Sequence, residues 1–279
     1  MIAFLLFVFC LYKASKYIFF TKYFNHNCVV ITGGAGALGT KLAELFINSG
    51  RTKVILLDID ADKLETVKKL LPGVITVQCD ICNYEELNNV VKTLLDKYNI
   101  DTLINNAGIV TKKKLLELTP DEIARTFNVN TIAPIHLTKL LLPNMIKSER
   151  GHIINVSSVA GLVGINRLTD YCASKSALIG FNDALRAEVS HYNNIHTSCL
   201  CPYFFRSDLF SNSRGYPWPL NYIMYVYSTD DIAKLIFKDI KVLKEFRIYP
   251  QIFGWLMRLR YIFPKYIQDR FISLGSNID

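Results

Sequence analysis

The chain has 279 residues, 51% of them apolar and 12% aromatic, with a mean hydropathy of +0.21, which excludes a disordered chain and is enough to bury one large core. Its net charge of +8 sits at the two ends: Lys13, Lys16 and Lys22 face no acid in the first 24 residues, and seven bases oppose two acids across 241–270. A nucleic-acid binder carries its positive charge across a folded face, so no nucleic acid is expected, and the basic ends suit an anionic surface.

Taken in chain order, residues 2–12 form an unbroken apolar run. As a helix that run covers roughly 16 Å, about half of a ~30 Å bilayer core. Extending it to Phe20 reaches full length but takes in Lys13 and Lys16, which would have to snorkel to the interface. The run lacks the basic start and small-residue cleavage site of a secretory signal. Residues 1–24 are therefore expected to be an uncleaved membrane anchor, monotopic or spanning, with its lysines on the cytosolic side.

From 25 to 249 the sequence alternates short β-branched runs with amphipathic stretches. The predicted strands are 28–32, 53–58, 74–79, 101–106, 152–157, 195–200 and 247–249, and helical periodicity marks 38–47, 84–98, 121–146 and 171–192. Near-continuous apolar strands separated by helices predict one α/β domain, a Rossmann-type doubly wound parallel sheet. Pro134 is a candidate kink within 121–146. The seven cysteines fit no disulfide scaffold and are read as reduced thiols. Cys79 and Cys82 lack further ligands at zinc spacing, and the five histidines are scattered, so no metal is expected. The sequon at Asn155 falls within a predicted buried strand and carries no weight.

Directly after the first strand comes Thr32-Gly33-Gly34-Ala35-Gly36-Ala37-Leu38-Gly39, leading into a helix. Glycines there let the backbone turn sharply and approach a pyrophosphate, which the helix N-terminus then binds. Asp58 ends the second strand, where an acid can hydrogen-bond the ribose hydroxyls of NAD. No base lies in the glycine turn or directly after Asp58 to receive a 2′-phosphate, which favours NAD over NADP. The competing reading of Asp58 is a strand-end turn former.

Tyr171 and Lys175 stand at i and i+4 on a predicted helix and share one face. Moving a tyrosine from about 10 to about 7 takes roughly 4 kcal/mol. One ammonium at ~4 Å supplies about that at an effective dielectric near 20, so the pair can make Tyr171 a general acid/base. Taken alone, such a pair is usually a solvated face.

Together, the glycine turn, Asn105-Asn106-Ala107-Gly108, Asn130, Ser158 and Tyr171-Cys172-Ala173-Ser174-Lys175 resemble the short-chain dehydrogenase/reductase family in order and spacing. The resemblance spans roughly 28–240 and is nearest to the branch of membrane-bound retinol dehydrogenases and 17β-hydroxysteroid dehydrogenase type 11. It implies Tyr171 as proton donor and acceptor, Ser158 holding the substrate oxygen, Lys175 binding the nicotinamide ribose and Asn130 holding a relay water. It further implies Asp80 and Ile81 at the adenine, and Asn106, Ala107 and Gly108 on the cofactor side, with Pro202 and Ser207 beyond the sixth strand. The sequence departs from the family at Ala37, where the usual spacing has glycine, and at Ser207-Asp208, where the branch has Thr-Gly; the Ala37 methyl is expected to narrow the pyrophosphate seat.

The stretch between Pro202 and Ser228 is rich in aromatics, including Phe204 and Phe205, which the resemblance places over the substrate; the same aromatics also fit a core beneath a lid. Residues 250–279 form a basic aromatic tail suited to a membrane interface or to a packed helix with a basic edge. These expectations converge on NAD-dependent oxidation of a lipophilic alcohol such as a retinoid or steroid. The site would face the cytosol at the endoplasmic reticulum or lipid droplets, and a homodimer stays open. The alternatives are an NADPH-linked lipid carbonyl reductase of the acyl-dihydroxyacetone-phosphate type and a non-catalytic membrane-attached binding protein.

Overall fold

The computed structural model describes residues 23–50, 52–203, 205, 226–252, 254 and 264. Residues 1–22 of the expected anchor, most of the tail, Phe204 and Ser207–Asp208 lie outside these. Among the described residues no helix is long and apolar enough to cross a membrane.

Seven strands build one sheet: β1 (Cys28–Thr32), β2 (Lys53–Asp58), β3 (Ile75–Gln78), β4 (Thr102–Asn105), β5 (Gly151–Val156), β6 (Ile195–Pro202) and β7 (Phe246–Tyr249). All pairings are parallel and the order is β3-β2-β1-β4-β5-β6-β7. The connecting helices are α1 (Ala37–Asn48), α2 (Ala61–Leu70), α3 (Tyr84–Leu95), α4 (Pro120–Phe127), α5 (Ala133–Lys147), α6 (Thr169–Glu188) and α7 (Thr229–Lys241).

The central strands are apolar on both faces, so each side of the sheet must be covered. Along β1, Val29 and Ile31 pack toward Phe46 of α1 and Ile236 of α7, while Val30 packs toward Leu87 of α3 and Leu141 of α5. The chain builds outward from β1 to β3, then crosses back so that β4 lies on the other side of β1. Strand order reverses between β1 and β4, and their carboxyl ends open the crevice where such folds bind ligands.

The expected helix over 121–146 is interrupted. A π-helical turn, Asn128–Ile132, separates α4 from α5 just ahead of Pro134. Proline at 134 has no N–H to give to the carbonyl of Asn130, so the regular ladder cannot run through that position. Thr119 and Glu122 form a reciprocal capping box at the start of α4, with Pro120 in its first turn. The packed domain reaches back to Phe24, one residue beyond the boundary expected at 25: its ring is buried and its N–H donates to the Lys241 carbonyl at 3.1 Å. The described cysteines are all unpaired.

Candidate active site

The glycine turn leaves β1 at Gly33, whose φ of +62° suits a residue without Cβ; a Cβ there would stand 2.9 Å from the Ala107 backbone. Gly39 allows a second close approach, since a Cβ would meet the Gly33 carbonyl at 2.3 Å. Gly34 packs on Leu56, and Gly36 is the extended N-cap of α1. Ala37, where the family's glycine is expected, is therefore the first helical residue. A helix start leaves its first N–H groups without intrahelical partners, and here no acid occupies the first turn of α1. Anion-binding donors thus face the carboxyl edge of the sheet.

Asp58 serves both readings of the sequence. One carboxylate oxygen accepts from Ala35 N–H at 3.0 Å and the other from Asp60 N–H at 3.1 Å, so it braces the glycine turn. A carboxylate has further lone pairs, and Asp58 lines the cavity, so ribose hydroxyls remain within its capacity. Thr32 ties β1 to β4: its hydroxyl accepts from the N–H groups of Asn106 and Ala107, both at 3.1 Å.

A cavity of about 860 Å³ runs across these strand ends. Its walls bring together Gly33, Gly36, Ala37 and Leu38 of the turn, then Asp58, Asp80 and Ile81, then Asn106, Ala107 and Gly108. At the far end stand Ser158, Tyr171, Lys175, Pro202 and Phe205. Thr32, Gly34, Gly39 and Asn130 stand behind the wall and support it. Phe204 and Ser207 lie outside the described residues. The glycine approach, the free helix start and an acid at the second strand end fit a dinucleotide.

Sequence reasoning missed Lys63 and Arg125, which also line the cavity from α2 and α4. Lys63 is paired with Asp60 at 3.3 Å. Asp60 is the N-cap of α2 and places Lys63 one turn on, a base near Asp58 that adjacency in sequence does not reveal.

Tyr171 and Lys175 both lie buried in the first two turns of α6. Burial pushes the Tyr171 phenol up to about 12, against the lowering effect of its hydrogen bond with Ser158. Burial pushes the Lys175 ammonium down to about 8. This differs from the expected depression of Tyr171 by its neighbour. The ammonium sits 5.8 Å from the tyrosine ring centroid and donates to the Val156 carbonyl at 3.0 Å. Desolvation of the buried phenol is the largest effect on it. Ser158 caps a short 3₁₀ turn by accepting from Ala160 N–H at 3.1 Å.

Asn130 is fully buried in the π turn. Its Oδ1 accepts from Ile109 N–H at 2.9 Å, and its Nδ2 donates to the Ile109 carbonyl at 3.0 Å and to Ser174 Oγ at 3.0 Å. Both amide hydrogens are committed, so what Asn130 can still offer a water is an acceptor, the second lone pair of Oδ1 or its main-chain carbonyl.

A family model described as short chain dehydrogenase matches residues 27–216. The chain is 35% identical over 221 residues to short-chain dehydrogenase/reductase family 16C member 6 of Bos taurus, covering 76% of this chain and 69% of that protein. It is 32% identical to human epidermal retinol dehydrogenase 2 (85% and 78% covered) and 32% identical to human 17-beta-hydroxysteroid dehydrogenase 13 (85% and 79%). Among solved structures, a short-chain dehydrogenase/reductase from Burkholderia phymatum in complex with NAD superposes with a TM-score of 0.74 at 24% identity, covering 86% of this chain and 95% of that one. A short-chain dehydrogenase from Sphingobium yanoikuyae in complex with NADPH gives 0.72 at 23% identity, covering 91% and 96%. These two share the fold.

Proposed function

The chain belongs to the short-chain dehydrogenase/reductase family, in its retinol and hydroxysteroid dehydrogenase branch, and from that premise we propose that this NAD(P)-dependent oxidoreductase uses NAD to interconvert a lipophilic alcohol and its ketone or aldehyde. The observation that carries the reading is the convergence of Ser158, Tyr171 and Lys175 on one end of a cavity whose other end is the glycine turn and Asp58. When bound, the nicotinamide supplies the hydride acceptor or donor. Ser158 holds the substrate oxygen, and Tyr171 takes its proton in oxidation or returns it in reduction. Lys175, anchored to Val156, holds positive charge beside the phenol and stands within reach of a ribose. The carbonyl of Asn130 is the candidate hold for a relay water.

Asp58 supports NAD, since its carboxylate would repel a 2′-phosphate. The retinoid or steroid class is supported by the printed names of the relatives and by the half-buried Phe205 on the cavity wall. The apolar run 2–12 and the basic tail support attachment to a lipid surface, with the catalytic domain on the cytosolic face of the endoplasmic reticulum or of lipid droplets. The reductive direction with NADPH is a second reading. It is supported by Lys63, a base that lines the cavity from α2 near Asp58 and can turn to a 2′-phosphate.

The test is a turnover screen of hydrophobic alcohols and carbonyls with NAD(H) and NADP(H), using detergent-solubilised chain. Tyr171→Phe should lower turnover by about 10³-fold or more while cofactor binding stays. Undiminished turnover in that variant would remove the mechanism.

A further inference from the structure

Ser174 lies between the two motif residues of α6 and is given no role by the reading above. Its hydroxyl and its backbone both make specific bonds. Ser174 is fully buried. Its Oγ accepts from Asn130 Nδ2 at 3.0 Å and donates to the Tyr171 carbonyl at 2.8 Å. Its own carbonyl accepts from Thr131 Oγ1 at 2.9 Å. One residue thus joins two consecutive members of the π turn to the helix that carries Tyr171 and Lys175.

We infer that Ser174 is a positioning residue, which locks the π turn of Asn130 to the backbone of Tyr171 and so fixes the Asn130 carbonyl relative to the phenol. Three observations carry this. The π turn replaces a regular ladder, and Pro134 removes the donor that would otherwise hold the Asn130 carbonyl, so main-chain bonds alone do not fix its direction. The Asn130 amide spends both hydrogens and its oxygen on Ile109 and Ser174, so the amide acts as a clamp. Of the Asn130 amide's bonds among the described residues, the one to the Ser174 hydroxyl reaches α6, whereas Ile109 belongs to the loop after β4. Removing it strands one buried amide hydrogen of Asn130, and the side chain must rotate or admit water to satisfy it.

The inference rests on the proposed proton transfer at Tyr171 for its catalytic consequence, but the clamp itself can be read without turnover. The experiment uses full-length chain in detergent and the variants Ser174→Ala and Ser174→Thr. Hydrogen exchange is followed at the amides of Ile109 and of 128–132. Turnover is measured with all-trans-retinol and retinaldehyde across pH, and NADH and NADPH affinity by nicotinamide fluorescence. In Ser174→Ala, exchange at Ile109 and in the π turn should rise about five- to tenfold. Its kcat should fall about tenfold with a displaced pH profile, at unchanged cofactor affinity and KM. Threonine keeps the hydroxyl and should restore both. Exchange and pH profile unchanged in Ser174→Ala would overturn the inference, as would a joint loss of cofactor affinity and kcat that threonine does not rescue. If the unaltered chain turns over neither retinoid, the substrate reading fails, and the exchange arm alone decides for or against the clamp.

Discussion

The Lys175 ammonium donates to the Val156 carbonyl at 3.0 Å, so the base of the Tyr-Lys pair is tied to the end of β5. It is also buried, and burial holds it down to about 8 against a usual 10.5. Below pH 8 both folded and unfolded chains carry the proton, and the folded state bears the full penalty of a buried charge. Between 8 and 10.5 the unfolded chain binds more protons than the folded one, so stability rises with pH. The gain across that window is about 3 kcal/mol. Tyr171, raised to about 12, opposes it only above pH 10. Buried thiols such as Cys28 and Cys79 are raised and weaken the fold as pH passes 9 in any variant, so the readout is a difference. In urea unfolding from pH 8 to pH 10 the unaltered chain should gain stability relative to Lys175→Met. Parallel curves for the two would mean that Lys175 is not the group responsible.

Asp58 both braces the glycine turn and borders the cavity, so its removal confounds two effects. Asp58→Asn keeps an oxygen for Ala35 N–H but discards the charge. Lys63 is at hand on α2, held by Asp60 at 3.3 Å, and can turn to a 2′-phosphate once the carboxylate is gone. The expected outcome is a shift of the NADP-to-NAD affinity ratio by about tenfold or more toward NADP, with little loss of NAD affinity beyond one charged hydrogen bond. Asp58→Ala should weaken both cofactors, because the turn loses its brace. Equal cofactor ratios in Asp58→Asn and the unaltered chain would remove Asp58 from discrimination.

The sheet was legible because its central strands are buried on both faces and read as continuous apolar runs, so Cys28–Thr32 and Lys53–Asp58 were delimited to the residue. The break in 121–146 was not, since the apolar period continues across Asn128–Ile132 and Pro134 only hints at the change. The residue types of the site were legible from spacing along one turn or one helix. Lys63 and Arg125 were not, because they reach the cavity from separate helices that only folding brings alongside. The rise of the Tyr171 phenol was not legible for a related reason. Spacing on a helix gives the face a side chain shares but not how deeply folding buries it, and burial is the largest cause of the rise.

Beneath the opposite edge of the sheet, His26 and His152 are buried with ring centroids 5.7 Å apart. The Thr102 hydroxyl donates to Asp101 at 2.8 Å, so at its 2.8 Å contact with Thr102 the His26 Nδ1 must carry the proton. Its Nε2 has no hydrogen-bond partner among the described residues. Burial, then the nearby charges of Lys241 and Arg150, hold His26 down to about 3, and burial holds His152 well below its usual value. Both groups are lowered, so their neutral form is the folded one. The unfolded chain takes up protons first as pH falls below 6.5, and stability declines from there. At pH 5 the cost from His26 alone is about 2 kcal/mol. Thermal melts should drop steeply between pH 7 and pH 5, and His26→Gln should lessen the slope. An equal slope would place the acid sensitivity elsewhere.

Phe24 determines how attachment to a lipid surface must be tested. Its ring lies 4.8 Å from His26, 5.7 Å from His152 and 6.1 Å from His196, and the Arg150 guanidinium stands over it at 4.4 Å. Residue 24 thus plugs the amino edge of the sheet, while the apolar run expected to meet lipid ends well before it. Removing residues 1–22 leaves the plug in place, whereas removing 1–24 exposes the histidines and forfeits the burial of one phenylalanine, about 2 kcal/mol. Both truncations should move the protein from the membrane pellet toward the soluble fraction. Only the longer one should melt lower, and it should also lose stability faster on acidification. A chain lacking 1–22 that stays in the pellet would mean that the apolar run is not what holds the protein to lipid.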